Sequence, residues 1–338
     1  MQFENVSIMG LSYVDAPHCL TSAEIEDRIA PTMRRFRAPE GLLASLTGIH
    51  ERRLWDEGME PSDAATLAAR KLLDETGFDA NDLGILINTS VSRTFIEPSI
   101  ASWVHGNLKL PESCMNFDIA NACLGFMNGI QLIANMIEMG QVKFGMVVNA
   151  ETARHAYENT IQRILDPDID LKRYRLNFPT LTLGSGSVAM LIGHSDYALD
   201  GHKVVNAASL ALTEHHKLCI GRMDEMLTDS KKLLQGGIEL SVKMRQHILK
   251  LWGREPNAVD EIAIHQVSQP HTDQVIEAVG LDEDKVFRIY PKFGNVGPAG
   301  VPITVAKSIE AGRLKKGMRL GMFGIGSGLN SLALEVIW

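Results

Sequence analysis

The chain has 338 residues, of which 45% are hydrophobic, and a formal net charge of −8. This length suits two domains or one large duplicated fold, and no apolar run approaches the roughly 20 residues that a membrane-spanning helix needs. Charges of both signs are interspersed without a basic stripe, which argues against nucleic-acid binding. The N-terminus lacks the basic and apolar regions of a secretory signal, so we expect a cytoplasmic protein.

Helix and strand signals alternate through the first half of the chain. The pattern TSAE, with Glu24 three residues after Thr21, is a capping box and predicts a helix start. Ser62 is the predicted N-cap of a helix over residues 62–76. The other predicted elements are strands at residues 6–11, 83–88, 114–118 and 145–149 and a helix at 124–139.

The second half repeats this order of elements. Helices are predicted at residues 231–251, 272–278 and 300–310, and strands at 261–265, 286–289 and 320–323. Buried strands that alternate with amphipathic helices predict an α/β fold with mainly parallel strand pairing. Glycine-rich turns at 184–186 and 324–328 predict strand ends that pass close to other backbone.

An internal repeat supports a duplicated fold. Residues 138–146 read EMGQVKFGM and residues 310–318 read EAGRLKKGM, an offset of 172 (310 − 138). The same offset carries Cys123, in DIANACLGF, onto Asn295, in KFGNVGPAGVP. A second pair, LINTS at 86–90 and IHQVS at 264–268, has an offset of 178 (264 − 86). The repeat predicts that both halves bring a polar residue to an equivalent turn.

The four cysteines are scattered through the chain, at Cys19, Cys114, Cys123 and Cys219. They form no C-x-x-C pair and have no histidines at the spacing of a zinc site. His265 and His271 lie near each other, but no third ligand accompanies them. We therefore expect free thiols and no bound metal.

Cys123 is the predicted nucleophile. It follows a strand and opens a helix, where unpaired N–H groups and the helix dipole favour a thiolate and can stabilise an oxyanion. His265 at a strand end and Asn295 in a glycine-rich turn would supply two hydrogen-bonding partners. Taken alone, each residue has a plain structural alternative: a small buried cysteine, a core histidine and a turn asparagine.

The motifs around these residues resemble those of the thiolase superfamily, and specifically of its ketoacyl synthase III branch. The segments concerned cover nearly the whole chain and read DIANACLGF, GSGSVAM, IHQVSQPH, GNVGPAGVP and GIGSGLNS. The resemblance implies a duplicated, five-layered αβαβα fold in a homodimer. The implied halves are residues 1–180, with the nucleophile, and residues 181–338, with the histidine and the asparagine.

The resemblance also implies roles for particular residues. It assigns catalysis to Cys123, His265 and Asn295. It assigns the oxyanion hole to the backbone N–H groups of Cys123 and Ser327. No cofactor is implied beyond the coenzyme A thioesters that serve as substrates.

Within this branch, three segments resemble the OleA-type enzymes that begin bacterial long-chain olefin biosynthesis: INTSVSRTFIEPS, GIHERRLWD and IHQVSQPHT. The Trp and Arg that many ketoacyl synthase III enzymes carry before a Thr-Gly-Ile stretch are absent here, where Leu42 and Leu46 precede Thr47. Ser268 likewise replaces the usual asparagine after the histidine. These departures disfavour ordinary malonyl-carrier chemistry.

Glu97 is the base that the OleA-type resemblance implies, reaching the cysteine of the neighbouring subunit. An acyl thioester without a carboxyl group to lose must give up an α-proton, so the chemistry needs a nearby base. From the residues alone, Glu97 before Pro98 could equally be a first-turn carboxylate at a helix N-terminus.

The implied activity is a head-to-head condensation of two fatty acyl-CoA molecules through a Cys123 acyl-enzyme. Later olefin-biosynthesis enzymes would be downstream partners. Two alternatives are a ketoacyl synthase III that uses malonyl carrier protein, and a non-catalytic subunit that only completes a dimer. The second alternative is disfavoured because such subunits usually lose the nucleophile.

Overall fold

The computed structural model describes residues 1–198, 201–222 and 225–338. The strands are β1 (Val6–Asp15), β2 (His18–Thr21), β3 (Glu51–Leu54), β4 (Ile85–Asn88), β5 (Met115–Asp118), β6 (Phe144–Glu151), β7 (Gly186–His194), β8 (His202–Ala211), β9 (Cys219–Gly221), β10 (Met226–Thr228), β11 (Glu261–Ile264), β12 (Arg319–Gly326) and β13 (Asn330–Ile337). The α-helices are α1 (Ser22–Arg35), α2 (Leu42–Thr47), α3 (Pro61–Thr76), α4 (Ile100–Leu108), α5 (Gly125–Glu138), α6 (Arg154–Leu165), α7 (Leu171–Asn177), α8 (Ser230–Trp252), α9 (Gln269–Val279), α10 (Tyr290–Phe293) and α11 (Gly300–Glu310). None of the helices in these ranges is long and apolar enough to cross a membrane.

The principal sheet has the strand order β11-β12-β13-β8-β1-β7-β6-β4-β5. Strand β4 is parallel to β5 and β6, and β11 is parallel to β12. The pairs from β12 through β13, β8, β1 and β7 to β6 are antiparallel. The prediction of mainly parallel pairing is therefore wrong. Strands β12 and β13, for example, are joined by a tight turn at residues 327–329, and a turn of that length permits only antiparallel pairing.

The layers follow from the two-residue period of the strands. In β4, Ile85 and Ile87 face a core that includes α5, α11 and strands of both halves, whereas Leu86 faces a core with α3 and α4. On the far side, α8 and α9 pack against β8, β11, β12 and β13. Strands β1 and β8 pair over only two residues, so the strand order divides there into two sheet layers with α5 and α11 between them, which is the αβαβα architecture that the resemblance implies.

Most predicted elements are confirmed, with shifted ends. Thr21 and Glu24 form the predicted capping box of α1. Helix α3 begins one residue before the predicted N-cap, because Pro61 occupies its first turn and Glu60 precedes it, so the N-cap role of Ser62 is wrong. The predicted strand at 286–289 is also wrong: only a single bridge joins Val286 to β11.

The polar contacts explain why no strand forms at 286–289. The backbone N–H groups of Ile289 and Tyr290 donate to Oε1 of Gln266 instead of to a neighbouring strand, at 2.8 and 3.2 Å. Helix α10 then begins at Tyr290, with Pro291 in its first turn. Of the glycine-rich turns, the first clearly needs its glycine, because a methyl group on Gly184 would lie 1.9 Å from the carbonyl oxygen of Phe293.

The two halves are equivalent, but not with the constant offset that the repeat predicts. The turn Ala122–Leu124 before α5 corresponds to the turn Gly297–Ala299 before α11, an offset of 175 (297 − 122). Because α11 has 11 residues and α5 has 14, the offset falls to 172 only after these helices. Strands β4 and β11 are offset by 176 (261 − 85), not 178. The predicted equivalence of Cys123 and Asn295 is therefore wrong.

Candidate active site

Cys123 lies in a short 3-10 turn, Ala122–Leu124, between strand β5 and helix α5. Ala122 has a left-handed φ of 45°, a conformation that costs free energy in any residue with a side chain and is common at functional sites. The thiol is half-buried. Because the turn runs directly into α5, the backbone N–H groups at this helix start lie beside the nucleophile.

Burial of the Cys123 side chain opposes the predicted preference for the thiolate in the unliganded protein. Burial, with smaller contributions from Cys219 and Glu151, raises the pKa of the Cys123 thiol to about 12. A helix N-terminus stabilises a negative charge by about 0.3–1 kcal/mol. Removing an ionised group from water costs several times more, so burial outweighs the helix dipole here.

His265 follows β11 and is almost completely buried. Its backbone N–H donates to the carbonyl oxygen of Phe323 at 2.9 Å, which extends the β11–β12 ladder by one residue. Its ring Nδ1 has no hydrogen-bond partner among the described residues. Burial, with a smaller effect of His271, lowers the pKa of His265 to about 3. The imidazole is therefore neutral at physiological pH and can donate one hydrogen bond.

Asn295 is held by its backbone and by its side chain. Its N–H donates to the carbonyl oxygen of Thr182 at 2.8 Å, and its carbonyl oxygen accepts from the N–H of Gly184 at 2.9 Å. Its Oδ1 accepts from the N–H of Gly297 at 3.0 Å, which leaves Nδ2 as the side-chain donor. Asn295 follows helix α10 and lies in the glycine-rich segment before the turn Gly297–Ala299.

These three residues surround one junction. The turn Ala122–Leu124 that carries Cys123 contacts the turn Gly297–Ala299, which begins two residues after Asn295. The next residue, Gly300, faces His265: a methyl group on it would lie 3.8 Å from the ring Nδ1. The structure thus brings the segments that carry Cys123, His265 and Asn295 together from both halves of the fold, around the starts of α5 and α11.

Ser327 and Glu97 border this junction in different ways. Ser327 is half-buried and directly follows β12, whose last residue, Gly326, lies against the backbone nitrogen of Cys123. Glu97 is exposed in the segment between β4 and α4. Helix α4 begins at Ile100 with Ser99 as its N-cap, so the alternative of a first-turn carboxylate is wrong for Glu97.

An apolar cavity adjoins His265. It lies between α8, α9 and the strands β11, β12 and β13. Aliphatic and aromatic side chains form most of its wall, together with His271: Met244, Ile248, Val275, Val279, Leu281 and Phe323. Such a cavity suits an alkyl chain. The sequence analysis did not single out these residues, because apolar helix faces also form ordinary cores.

Glu151 is a second feature that the sequence analysis missed. It is the last residue of β6 and is buried, and its burial raises the pKa of its carboxyl group. A carboxylate at the end of an otherwise apolar strand, in VVNAE, was the available signal.

Metal binding has no support in the described ranges, since they contain no group of three or more candidate ligands.

Comparison with known proteins places the chain in a family. Residues 117–208 match 3-Oxoacyl-[acyl-carrier-protein (ACP)] synthase III, and residues 249–338 match the C-terminal part of that family. The chain is 45% identical to an acyl-CoA:acyl-CoA alkyltransferase of Xanthomonas campestris pv. campestris, and 37% identical to one of Shewanella oneidensis. Both alignments cover 100% of each chain.

Solved structures show the same likeness. Cerulenin-bound OleA of Xanthomonas campestris matches with a TM-score of 0.98, over 100% of this chain and 98% of that one. A cysteine-to-serine variant of that enzyme, with bound lauric acid and lauroyl-CoA, matches with a TM-score of 0.97, over 99% of this chain and 100% of that one. Both are 45% identical to this chain. The chain therefore belongs to the ketoacyl synthase III-like branch of the thiolase superfamily and, within it, to the OleA-type acyl-CoA:acyl-CoA alkyltransferases.

Proposed function

We propose that this enzyme condenses two long-chain fatty acyl-CoA molecules, without decarboxylation, into a 2-alkyl-3-oxo acid. The observation that carries the proposal is the convergence of Cys123, neutral His265 and Asn295 at one junction beside an apolar cavity. The names of the relatives and the lauroyl-CoA complex of one of them support acyl-CoA as the substrate.

In the first step, the sulfur of Cys123 attacks the carbonyl carbon of one acyl-CoA. A carbon–sulfur bond to Cys123 forms, the bond to coenzyme A breaks, and coenzyme A leaves as the thiol. Because the pKa of Cys123 is high, its proton must move as the attack proceeds. The oxyanion would accept hydrogen bonds from the backbone N–H groups of Cys123 and Ser327.

In the second step, a base removes an α-proton from the second acyl-CoA, and the resulting carbanion attacks the Cys123 thioester. Neutral His265 and the Nδ2 of Asn295 are donors suited to the enolate oxygen. Loss of the proton replaces loss of carbon dioxide, and the thiolate of Cys123 leaves as the new carbon–carbon bond forms. Hydrolysis of the remaining coenzyme A thioester gives the free acid.

Glu97 is the proposed base. In this chain Glu97 precedes Cys123 by 26 residues (123 − 97), and Cys123 precedes His265 by 142 (265 − 123). Solved variants of the Xanthomonas campestris enzyme replace a glutamate, a cysteine and a histidine with these same spacings. Because Glu97 is exposed in its own protomer, we assign it to the active site of a partner protomer.

The proposed homodimer would form at the edge strand β5. Met115 and Phe117 on this strand are 45% and 37% exposed, and Ile96 beside Glu97 is 85% exposed. An unpaired edge with apolar side chains favours association with another strand. Pairing of two β5 strands would join the sheets of two protomers and cover these side chains, and it would carry the segment with Glu97 towards the partner.

The wider setting follows from the same reasoning. The apolar side chains that line the cavity next to His265 suit contact with part of a substrate's alkyl chain. We place the reaction in the cytoplasm, at the start of long-chain olefin biosynthesis, where later enzymes would act on the β-keto acid. We expect no cofactor or metal to be required beyond the coenzyme A of the substrates.

The test is product mass spectrometry after incubation of the purified protein with one long-chain acyl-CoA and no malonyl donor. We expect a β-keto acid with two alkyl chains, or the ketone formed when that acid decarboxylates. Cys123→Ala should form neither this product nor a covalent acyl adduct. Coupling that appears only after addition of malonyl carrier protein would instead support a conventional ketoacyl synthase III.

A further inference from the structure

Glu151 binds the start of the segment that carries Glu97. Its Oε1 accepts from the backbone N–H of Val91 at 2.8 Å and from Nδ2 of Asn149 at 3.3 Å. Its Oε2 accepts from the backbone N–H of Ser92 at 3.1 Å and from the hydroxyl of Ser92 at 2.7 Å. Glu151 is only 7% exposed, so this buried carboxylate fixes two consecutive residues of a surface segment.

A second carboxylate fixes the other end of the segment. Asp118, at the end of β5, accepts from the backbone N–H groups of Ile100 and Ala101 at 3.1 and 2.9 Å. It also forms an ion pair with Arg93 at 3.5 Å. Residues 94–98 lie between the two anchors and are mostly exposed, with Glu97 among them. The position of Glu97 relative to the fold therefore depends on Glu151 and Asp118.

Glu151 also contacts the turn after Asn295. A methyl group on Gly297 would lie 3.5 Å from Cγ and 3.6 Å from Cδ of Glu151. The N–H of Gly297 is the donor that holds the side chain of Asn295. In addition, the charge of Glu151 contributes to the raised pKa of Cys123. Glu151 thus borders the turn that follows Asn295, while its hydrogen bonds hold the start of the segment that carries Glu97.

We propose that Glu151 is a positioning residue that sets the place of Glu97 for the active site of the partner protomer. This inference rests on the proposed function, in which Glu97 acts across the dimer. A small displacement of a reacting group can cost about 100-fold in rate. We therefore expect Glu151→Gln to slow condensation by about 10- to 100-fold, and by a larger factor than it changes acyl transfer to Cys123.

The reason for this expectation is the geometry of the acceptors. In Glu151→Gln one oxygen becomes an NH2 group, which cannot accept the two donors that the lost oxygen held. Ser92→Ala is a second variant that leaves the carboxylate in place: it removes the hydrogen bond from the Ser92 hydroxyl to Glu151 and the one that this hydroxyl accepts from the N–H of Thr152. It should reduce condensation in the same direction by a smaller factor.

Glu138→Gln is the matched control. Glu138 also accepts from two consecutive backbone N–H groups, those of Glu4 and Asn5 at 2.6 and 2.7 Å, but it lies at the far end of α5 from Cys123. Each variant is compared by its melting temperature, by the rate of coenzyme A release in a single turnover, and by the rate of coupled product. If Glu151→Gln lowers the melting temperature and slows coenzyme A release and product coupling to the same extent, the residue has only a structural role and the proposal is overturned.

Mixed dimers provide the decisive comparison. In the first dimer, one protomer carries C123A and E151Q and its partner is unchanged. The only functional Cys123 is then in the unchanged protomer, and it receives Glu97 from the segment that E151Q alters. In the second, one protomer carries C123A and the partner carries E151Q, so the working cysteine receives Glu97 from an intact segment. We expect condensation to be slower in the first dimer than in the second by about 10-fold or more. Equal rates, or the reverse order, would overturn the proposal.

A third mixed dimer separates this inference from the proposed function. One protomer carries C123A and E97Q, and its partner is unchanged. If its condensation equals that of a dimer with C123A alone, then Glu97 does not act across the dimer and the proposed function fails in that respect. If its condensation is lost while the first Glu151 dimer stays active, then only the role of Glu151 is wrong.

Discussion

Gly326 lies against the backbone nitrogen of Cys123, where the end of strand β12 passes the turn that carries the nucleophile. A methyl group on Gly326 would lie 3.4 Å from that nitrogen and 3.3 Å from the carbonyl oxygen of Asn121. The close approach joins the two proposed oxyanion-hole donors, since Ser327 is the next residue. The site therefore requires a residue without a side chain at position 326, so that the backbone N–H of Cys123 stays unobstructed.

We accordingly expect Gly326→Ala to slow acyl transfer to Cys123 by about 10- to 100-fold, because an oxyanion donor displaced from its place loses much of its effect. The rate of coenzyme A release in a single turnover measures this step. Gly221→Ala is the control, as an alanine there meets no atom within 4 Å. An unchanged acylation rate in Gly326→Ala would refute the assignment of the oxyanion hole to this turn.

The high pKa of Cys123 predicts how the free enzyme reacts with alkylating agents. With a pKa of about 12, the thiolate fraction should rise tenfold for each pH unit between pH 7 and 10. Iodoacetamide modification of Cys123, followed by peptide mass spectrometry in a Cys19→Ser background that removes the exposed thiol, should therefore accelerate without a plateau. A plateau with a midpoint near pH 7 would mean that the site stabilises the thiolate before substrate binds.

The buried, neutral state of His265 predicts a pH dependence of stability. Its pKa is about 3 in the folded protein, whereas an unfolded histidine titrates near pH 6.5. Between these values the unfolded chain binds a proton that the folded chain does not. The free energy of unfolding should therefore fall as the pH drops below 6.5, by up to about 1.4 kcal/mol per pH unit from this residue.

Urea unfolding of His265→Asn at pH 7, 6 and 5 measures that contribution. The variant should lose less stability on acidification than the parent protein, because its side chain does not titrate. His155→Asn, at an exposed position on α6, is the control and should keep the parent slope. Parallel stability curves for His265→Asn and the parent would contradict a neutral buried His265.

The edge strand β5 predicts which substitutions weaken the proposed dimer. Phe117→Lys places a charge on an apolar edge that the partner strand would cover, so the dissociation constant measured by sedimentation velocity should rise by about 100-fold or more. Met139→Lys is the control, because Met139 is 71% exposed and lies at the end of α5, away from β5. Equal association of both variants would place the interface elsewhere.

Most helices and strands of the layers could be predicted from the sequence, because the patterns that indicate them lie within each element. The strand β4 shows the period of two, and the capping box of Thr21 and Glu24 marks the start of α1. The motif around Cys123 indicated a turn between a strand and a helix, and the turn is there. The strand at 286–289 failed for a tertiary reason, since the side chain of Gln266 takes up the backbone donors that a strand would need.

Other features of the site depend on the assembled fold. A helix of 11 residues in place of one of 14 shifts the repeat, and no single offset could reveal this. The thiolate preference predicted for Cys123 came from its local position, whereas burial by other elements decides its pKa. Glu151 reads as an ordinary residue at a strand end, and its importance appears only when Val91, Ser92 and Gly297 lie around it.

The central claim is that carbon–carbon bond formation retains both carboxyl carbons of the two substrates. Incubation with a single long-chain acyl-CoA labelled with ¹³C at its carbonyl carbon tests this directly, with rapid mass spectrometry of the acid product. We predict a 2-alkyl-3-oxo acid that contains two ¹³C atoms, and a ketone with one after decarboxylation. A coupled acid with one labelled carbon, or coupling that requires an added malonyl donor, would contradict the account.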